Sequence, residues 1–261
     1  MKKIFLPLML MILLLTGCGS EKPSNTAKRI IIGIDDEFAP MTFRDAQGNI
    51  VGFDVDLAKE VARRMGVEFE FRPINWNNKK IEITSGSVDI IWSGCDIMND
   101  YREYMIFSKP YMDNRQILLV KKDTNRSIRS EGDLAGKVVG TQAGSNSEDY
   151  VNENKQLKNS FAGFNVYRNV REGFTALEDG QIDALIIDEI AGRYEMSKES
   201  GKFSAVEVTI GPVTEFGIGF RKDETKLRNE VQNAFDSMIK DGTARRISEQ
   251  WFQADLIKSR I

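Results

Sequence analysis

Side-chain chemistry in this chain depends on carboxylates, lysines, tyrosines and two cysteines, because its 261 residues include no histidine. That absence excludes a Ser-His-Asp triad, a Cys-His pair and any zinc site with histidine ligands. Two cysteines cannot build a disulfide framework. The remaining groups can act as general acids or bases, but nothing in their spacing requires catalysis. The sequence therefore favours a binding site over an active site.

Two stretches carry polar residues where binding sites of α/β proteins are usually found. Asp188 directly follows the apolar run 182–187, and ligands of such proteins bind at the carboxyl ends of strands. The alternative role for Asp188 is to cap a following helix. Ser145 and Asn146 open a predicted helix after Gly144. Backbone N–H groups and the positive end of that helix can receive a carboxylate.

The elements that position these residues alternate between strands and helices. A β-branched run at 29–34 predicts a buried strand, and the apolar spacing of 54–65 predicts a helix that Asp54 can cap and Gly66 can end. Further strands are predicted at 67–71, 88–92, 137–140 and 182–187, and a further helix at 227–239. This order indicates an α/β protein with mainly parallel sheets.

A weak internal repeat indicates two lobes. Residues 86–91 resemble 180–185, which lie 94 positions later. In both copies a glycine follows a predicted helix and leads through a turn into a buried strand. Two similar α/β lobes with a cleft between them are the interpretation that we adopt.

Composition and charge are those of an ordinary globular protein. Hydrophobic residues make up 41% and charged residues 29% of the chain, which argues against disorder and coiled coil. The 36 Lys and Arg and 39 Asp and Glu give a net charge of −3. That balance argues against a nucleic-acid surface, whose affinity depends on clustered cations. No P-loop, dinucleotide fingerprint or metal-ligand cluster is present, so we predict no cofactor.

The N-terminus has the pattern of an export signal. Lys2 and Lys3 precede an apolar run at 4–15, which is too short to span a membrane. Residues 15–18 (Leu-Thr-Gly-Cys) resemble a bacterial lipobox, which implies cleavage before Cys18 and lipidation of that cysteine. The polar stretch 18–28 is then predicted to be a tether between the lipid anchor and the folded part. Cys95 would be the one thiol left in the folded part, and we expect it to be a small buried hydrophobic residue.

A series of motifs resembles the solute-binding proteins of polar amino-acid ABC importers, a family of bacterial extracellular proteins known as family 3. The motifs occur in the family's order at 33–43, 52–60, 85–89, 107–111, 136–140, 142–145, 180–184, 216–220 and 242–252. Each motif alone is loose, but together they cover nearly all of the chain after the tether.

The resemblance implies a type II periplasmic-binding-protein-like fold with a ligand cleft between two α/β lobes. Lobe 1 would contain 29–115 and 213–261, and lobe 2 would be 116–212 including the hinge strands. It also implies a monomeric, extracytoplasmic protein that delivers a polar amino acid to an ABC permease with its ATPase. The lipid on Cys18 would hold it at the cell membrane.

The same resemblance implies a set of cleft residues. Phe38 matches an aromatic wall, and Trp76 matches another cleft position. Asp188 matches the acid that holds the ligand ammonium, and Asp35 matches a position that meets a polar or cationic ligand side chain. The further cleft positions are Ser93, Gly94, Gln142, Ser145 and Asn146.

The sequence departs from the family's pattern at the ligand carboxylate. Relatives carry a hydroxyl residue two positions after the cleft Gly94 and an arginine five positions later, whereas this chain has Asp96 and Tyr101 there. Arg102 is one position late. Either a local loop shift lets Arg102 bind the carboxylate, which we favour, or the arginine is lost. In the second case Asp35, Asp96 and Asp188 would favour a cationic ligand.

Two other functions are compatible with this fold. One is an enzyme similar to cyclohexadienyl dehydratase, for which Asp96 would be the interesting acid or base. The other is a ligand-sensing binding protein, and either binding role could extend to a cationic ligand that is not an amino acid.

Overall fold

A computed structural model describes residues 29–122, 127–198 and 201–258. The predicted signal peptide, the lipidated Cys18 and the tether lie outside the described residues. The strands are β1 (Arg29–Ile34), β2 (Glu37–Phe38), β3 (Thr42–Arg44), β4 (Ile50–Val51), β5 (Glu68–Pro73), β6 (Ile90–Asp96), β7 (Met105–Phe107), β8 (Met112–Lys121), β9 (Val138–Gln142), β10 (Gly163–Tyr167), β11 (Ala184–Asp188) and β12 (Phe203–Arg221). The α-helices are α1 (Phe53–Met65), α2 (Lys79–Thr84), α3 (Asn146–Glu153), α4 (Lys155–Ser160), α5 (Val170–Glu178), α6 (Glu189–Lys198), α7 (Thr225–Lys240) and α8 (Thr243–Phe252).

Nine strands form one continuous sheet that runs through both lobes. Its order is β10-β9-β11-β8-β12-β6-β1-β5, and β7 also pairs with β12. Within this sheet the paired strands of each lobe are parallel, as β1 is to β5 and β6 and as β9 is to β10 and β11, whereas β2, β3 and β4 form a separate antiparallel sheet. The long strands β8 and β12 are antiparallel to each other and to their neighbours. The predicted parallel character therefore holds for each lobe's part of the nine-stranded sheet, and that sheet as a whole is mixed.

The two lobes are defined here by the strands on either side of the β8–β12 pair. The first lobe contains β1 to β7, α1, α2, α7 and α8, and the second contains β9 to β11 and α3 to α6. The residue bounds predicted for the two lobes remain a prediction. None of the helices in the described ranges is both long enough and apolar enough to span a bilayer.

The core explains why these segments fold as they do. Ile30, Ile32 and Ile34 of β1 are buried in the core of the first lobe, which is why a β-branched run forms this interior strand. Helix α1 ends at Gly66, whose φ of 67° is the left-handed conformation that glycine adopts readily. Cys95 is fully buried, and burial raises the pKa of its thiol to about 12.

Candidate functional site

Eleven of the twelve predicted site residues line one cavity between the lobes. They are Asp35, Phe38, Trp76, Ser93, Gly94, Asp96, Tyr101, Gln142, Ser145, Asn146 and Asp188. The free volume left between their side chains is about 20 Å³, which is close to the space that one water molecule needs. The lobes are thus closed upon each other, and a ligand larger than water can enter only when they separate.

The first lobe supplies the floor of the cavity through two neighbouring strands. β1 and β6 are parallel and in register at Ile32 and Ile90, so their carboxyl ends bring Asp35 and Ser93 to the same edge. The backbone N–H of Asp35 donates to Oγ of Ser93 at 3.1 Å. Gly94 has a φ of 54°, and a Cβ there would lie 2.6 Å from the ring of Phe38. Glycine is therefore required where the aromatic wall meets the floor.

Asp54 fixes the position of Gly94 from below. Its Oδ2 accepts the Gly94 N–H at 2.7 Å, and the hydroxyl of Tyr111 donates to both carboxylate oxygens at 2.9 and 3.0 Å. The predicted cap role of Asp54 is wrong, because the N-cap of α1 is Gly52 and Asp54 lies inside the first turn facing the core. Burial raises the pKa of this carboxyl to about 7. Sequence reasoning missed this role because Asp54 and Gly94 are 40 residues apart.

The second lobe reaches across the cavity with amide groups. Gln142 ends β9, and its Nε2 donates to Oδ2 of Asp35 at 2.5 Å. Asn146 opens α3, and its Nδ2 donates to Oδ2 of Asp96 at 2.8 Å. Ser145 is the N-cap of this helix, since its side chain accepts the N–H of Glu148. Each of the two amides thus ties the second lobe to a carboxylate of the first.

Asp96 and Asp188 form a buried pair of carboxylates from opposite lobes. The side-chain amide of Asn114, on β8, donates to Asp96 at 3.0 Å and also to Asp188. Gln116 donates to Asp188 at 2.6 Å, and the hydroxyl of Thr214 donates to Asp96. Asp188 ends β11, so its predicted place at the carboxyl end of a strand is confirmed.

Burial sets the protonation behaviour of these acids. Burial and the nearby Asp188 together raise the pKa of Asp96 to about 7, although hydrogen bonds from Asn114 and Thr214 lower it. The pKa of Asp188 is also raised by burial, against the hydrogen bonds from Asn114 and Gln116. Burial raises the pKa of Asp35 to about 6, although the N–H of Glu37 and the amide of Gln142 lower it. Burial therefore favours the neutral form of all three carboxyls, and the nearby Lys79 opposes this effect at Asp96.

Lys79 lies against two aromatic residues of the cavity, Trp76 and Tyr101, without lining the cavity itself, and was missed by the sequence reasoning. Its Nζ donates to the carbonyl of Gly144 at 2.6 Å and lies 4.5 Å from the ring centroid of Tyr101 and 5.4 Å from that of Trp76. The hydroxyl of Tyr101 also donates to the Gly144 carbonyl and to Asp149, each at 3.3 Å. Burial lowers the pKa of Lys79, whereas nearby acids raise it.

Arg102 is the one predicted site residue that the structure does not bring to the cavity. The short 3-10 turn Tyr101–Glu103 directs Tyr101 inward and leaves Arg102 exposed. The guanidinium carbon lies 5.6 Å from the ring centroid of Phe107. The expectation that a loop shift lets Arg102 reach the cleft is therefore not met in this geometry, and Tyr101 occupies the position.

The order of elements and the closed cleft agree with a known family. Residues 30–254 match the sequence profile of the bacterial extracellular solute-binding proteins, family 3. The chain belongs to this family. This solute-binding protein is 30% identical to the L-cystine-binding protein of Escherichia coli over 88% of its own length and 84% of that protein.

Other relatives agree with this assignment. The chain is 28% identical to the arginine-binding extracellular protein of Bacillus subtilis, over 92% of this chain and 93% of that one. Among solved structures, a substrate-binding protein of an ABC uptake transporter from Streptococcus pneumoniae, with bound histidine, superposes with a TM-score of 0.84. The two are 34% identical, and the match covers 88% of this chain and 94% of that one. The predicted type II two-lobed fold is therefore confirmed, and so is the prediction of an amino-acid-binding protein of ABC importers.

The acidic side chains of this cavity raise the question whether it binds a metal ion. Within the described ranges, no group of three Cys, Asp or Glu side chains is placed to hold a metal ion. The arrangement of the cavity suits reversible binding of a small organic ligand, with carboxylates and amides for its polar groups and aromatic rings for its carbon chain.

Proposed function

We propose that this protein captures a cationic amino acid between its lobes and delivers it to an ABC transporter permease. The observation that carries this proposal is the charge of the cavity. Asp35, Asp96 and Asp188 line it, whereas none of the described residues that line it is Lys or Arg. Buried carboxylates are costly unless a positive partner compensates them. A cationic ligand supplies that partner.

The relatives support the amino-acid part of this proposal. Curated relatives are named for binding L-cystine and arginine, and the pneumococcal structure holds histidine. These ligands share the ammonium and carboxylate of an amino acid and carry polar or cationic side chains. The acid-rich cavity selects the cationic members of that range.

The residues have separate roles in the proposed complex. Phe38 and Trp76 cover the carbon chain of the ligand, and Asp35 meets its side-chain cation. Asp188 holds an ammonium, while Gln142 and Asn146 exchange their lobe-to-lobe hydrogen bonds for contacts with the ligand. In the empty closed cleft the amides only partly offset the negative charge of the carboxylates. A bound cationic ligand neutralises that charge.

The residues that precede the folded lobes support the proposal that the protein is anchored to the membrane. The charged start, the apolar run and the lipobox-like residues before Cys18 support lipidation of that cysteine. The tether at 18–28 would leave the folded lobes free to meet the permease, which recognises the closed form. Replacement of Cys18 by serine should move the protein from the membrane fraction to the soluble fraction, and retention in the membrane would contradict lipid anchoring.

Ligand-dependent thermal unfolding tests the proposed ligand class. The purified protein is heated with each of the twenty amino acids, ornithine and cystine. A ligand at 100 times its Kd adds about 2.7 kcal/mol to the free energy of unfolding. We expect stabilisation by lysine, arginine or ornithine and none by glutamate or leucine. Stabilisation by acidic or apolar amino acids alone would overturn the proposal.

A pair of neighbouring variants tests the site itself. Asp35→Asn removes a carboxylate that lines the cavity, and we expect the affinity for the cationic ligand to fall roughly 10–150-fold. Asp36→Asn removes the next carboxylate, which pairs with Arg44 outside this cavity. The Asp36 variant should bind normally. Equal losses in both variants would indicate a general charge effect in place of a direct contact.

A further inference from the structure

A groove of about 740 Å³ runs along the β8–β12 pair, which joins the two lobes. Side chains alternate between the two faces of a strand. On β8 the side chains of Asn114 and Gln116 both donate to Asp188 in the cleft. Asp113 and Arg115 alternate with them and line the groove. The cleft and this groove, here called the outer groove, therefore lie on opposite sides of the same two strands.

The two walls of the outer groove belong to different lobes. Residues 255–258, here called the strap, follow α8 and form the wall on the first lobe. Helix α6 forms the wall on the second lobe through Glu189, Ile190 and Arg193. Val213 of β12 also lines the groove. Any change in the angle between the lobes therefore changes the width of the groove.

Each wall is fixed to its own part of the connecting strands. The ammonium of Lys258, in the strap, is bonded to Asp113 and Glu215, which are directly paired on β8 and β12. The guanidinium of Arg115 donates to Glu189 of α6 at 2.6 and 2.7 Å. Within the described ranges, no hydrogen bond or ion pair joins the strap to α6. The two walls are thus free to approach each other.

The strand pairing shows where the connection between the lobes bends. Residues 211–213 of β12 stand opposite Arg115 of β8 alone, because the register shifts between the neighbouring pairs. Extra residues of this kind bend a strand. Val213 belongs to this bulge, and 67% of its surface is exposed. No large hydrophobic residue in the described part of the chain is more exposed, so a bulky apolar group lies in water at the bend of the closed form.

We propose that opening of the cleft narrows the outer groove, and that this narrowing holds the ligand-free protein open. Rotation of two rigid lobes about the bulge at 211–213 separates them on the cleft side and brings the strap towards α6 on the other side. The approach removes Val213, Ile190 and Leu256 from water, and burial of apolar surface stabilises the open form. A ligand must overcome this contribution to close the lobes. The inference goes beyond the proposed function, because it does not depend on which ligand the cleft binds.

A tryptophan in the groove tests this inference without any ligand. Val213→Trp fills space between the strap and α6, so the groove cannot narrow and we expect the lobes to stay closed. Ile190→Trp adds the same ring from the α6 wall and should act in the same direction. Small-angle X-ray scattering of the ligand-free native protein should give a larger radius of gyration than the closed structure has. Both variants should match the closed structure.

The matched control is Val166→Trp, because Val166 is also an exposed valine but lies on β10, outside the outer groove. This variant should scatter as the native protein does. Thermal unfolding of each variant confirms that it folds. A ligand-free native protein that is already as compact as the closed structure would overturn the inference. A folded Val213→Trp variant that is at least as extended as the native protein would overturn it too.

Isothermal titration calorimetry with L-arginine gives a second measurement. While the closed form is a small fraction of the ligand-free protein, the apparent affinity rises in proportion to that fraction. We therefore expect Val213→Trp to bind L-arginine at least about tenfold more tightly than Val166→Trp does. Equal or weaker binding by a folded Val213→Trp variant would contradict the inference. If none of these proteins binds arginine, lysine or ornithine, the proposed function fails, whereas the scattering comparison still decides the inference.

Discussion

The Nε2 of Gln142 donates a hydrogen bond of 2.5 Å to Oδ2 of Asp35 across the cleft. Gln142 belongs to the second lobe and Asp35 to the first, and both side chains are buried. A hydrogen bond to a charged group contributes about 1.5–3 kcal/mol. Because the bond exists only when the lobes meet, it stabilises the closed form selectively and couples closure to the charge of Asp35.

Gln142→Glu should turn this bond into a pH-dependent repulsion. At pH 8 two carboxylates would face each other at hydrogen-bond distance, so we expect the lobes to open and the affinity for the cationic ligand to fall at least about tenfold. At pH 5 the pair can share a proton, because burial already raises the pKa of Asp35 to about 6, and closure should return. Small-angle X-ray scattering measures the opening, and calorimetry measures the affinity.

The matched control for this variant is Gln47→Glu, which adds the same charge at an exposed turn. It should leave the scattering curve and the affinity unchanged at both values of pH. A Gln142→Glu protein that stays closed at pH 8 would contradict the view that this bond helps to hold the lobes together.

Gly144→Ala should prevent full closure by steric contact. Gly144 has a φ of 71°, and a Cβ there would lie 2.7 Å from Cα of Asn77 and 3.2 Å from the carbonyl oxygen of Trp76. Both contacts are with backbone of the opposite lobe, which cannot move aside as a flexible side chain can. We expect the affinity to fall at least about tenfold, with a small loss of stability from the left-handed backbone.

Gly180→Ala is the control that separates closure from backbone strain. Gly180 has a φ of 73° in the same lobe, but no atom outside its immediate neighbours lies within 4 Å of a Cβ there. Both variants should lose similar stability, about 1–2 kcal/mol, and only Gly144→Ala should lose affinity. Equal affinities in the two variants would show that the contact with Asn77 does not limit closure.

Residues at the ends of strands were the part of the site that the sequence could predict. Asp188 follows an apolar run, and such runs become parallel strands whose carboxyl ends share an edge. Family resemblance then located Asp35, Ser93 and Gln142, which the register of neighbouring strands brings together in the structure. Local patterns were enough to predict these site residues, because the order of the strands in the fold fixes where the strand ends lie.

Residues that act through long-range contacts were not predictable from the sequence. Asp54 has the local pattern of a helix cap, but a buried partner 40 residues away makes it a support for Gly94. Asn114 is a polar residue that joins two acids 18 and 74 positions away. Lys79 is buried on aromatic rings and bonded 65 positions away. Hydrogen bonding and burial of this kind depend on tertiary packing, which periodicity does not encode.

An aromatic contact at the rim should tune affinity without changing specificity. The ring of Phe43, in the first lobe, lies 5.9 Å from that of Tyr194 in α6 of the second lobe, and Nζ of Lys198 lies 4.4 Å from the Tyr194 centroid. Such a pair contributes about 0.5–1.5 kcal/mol. We expect Tyr194→Ala to weaken every ligand about 2–12-fold and to leave their ranking unchanged.

A double-mutant cycle isolates the contribution of this rim contact. Phe43 also packs edge-on against Trp251, so Phe43→Ala alone removes more than the contact between lobes. The affinity lost in the double variant should be smaller than the two single losses combined. Strict additivity of the binding free energies would show that the rings do not stabilise closure together.

Asp54→Asn should flatten the dependence of stability on pH. Burial raises the folded pKa of Asp54 from 3.8 to about 7, so the folded state keeps a proton that the unfolded chain releases. The protonated Asp54 carboxyl stabilises the folded state fully below the pKa that it has in the unfolded chain. This contribution is lost as the pH rises through about 7. Between pH 5 and 7 this group lowers the free energy of unfolding by up to about 1.4 kcal/mol per pH unit.

Urea unfolding at pH 5, 6, 7 and 8 measures this effect as a difference between the native protein and Asp54→Asn. Asparagine keeps the shape and can still accept from Gly94, but it does not titrate. The cleft acids Asp35 and Asp96 are present in both proteins, so their own pH dependence largely cancels in the difference. The native protein should lose stability with rising pH more steeply than the variant. Parallel curves would mean that Asp54 is ionised throughout, and Tyr111 and the Gly94 N–H would then stabilise its charge fully in spite of burial.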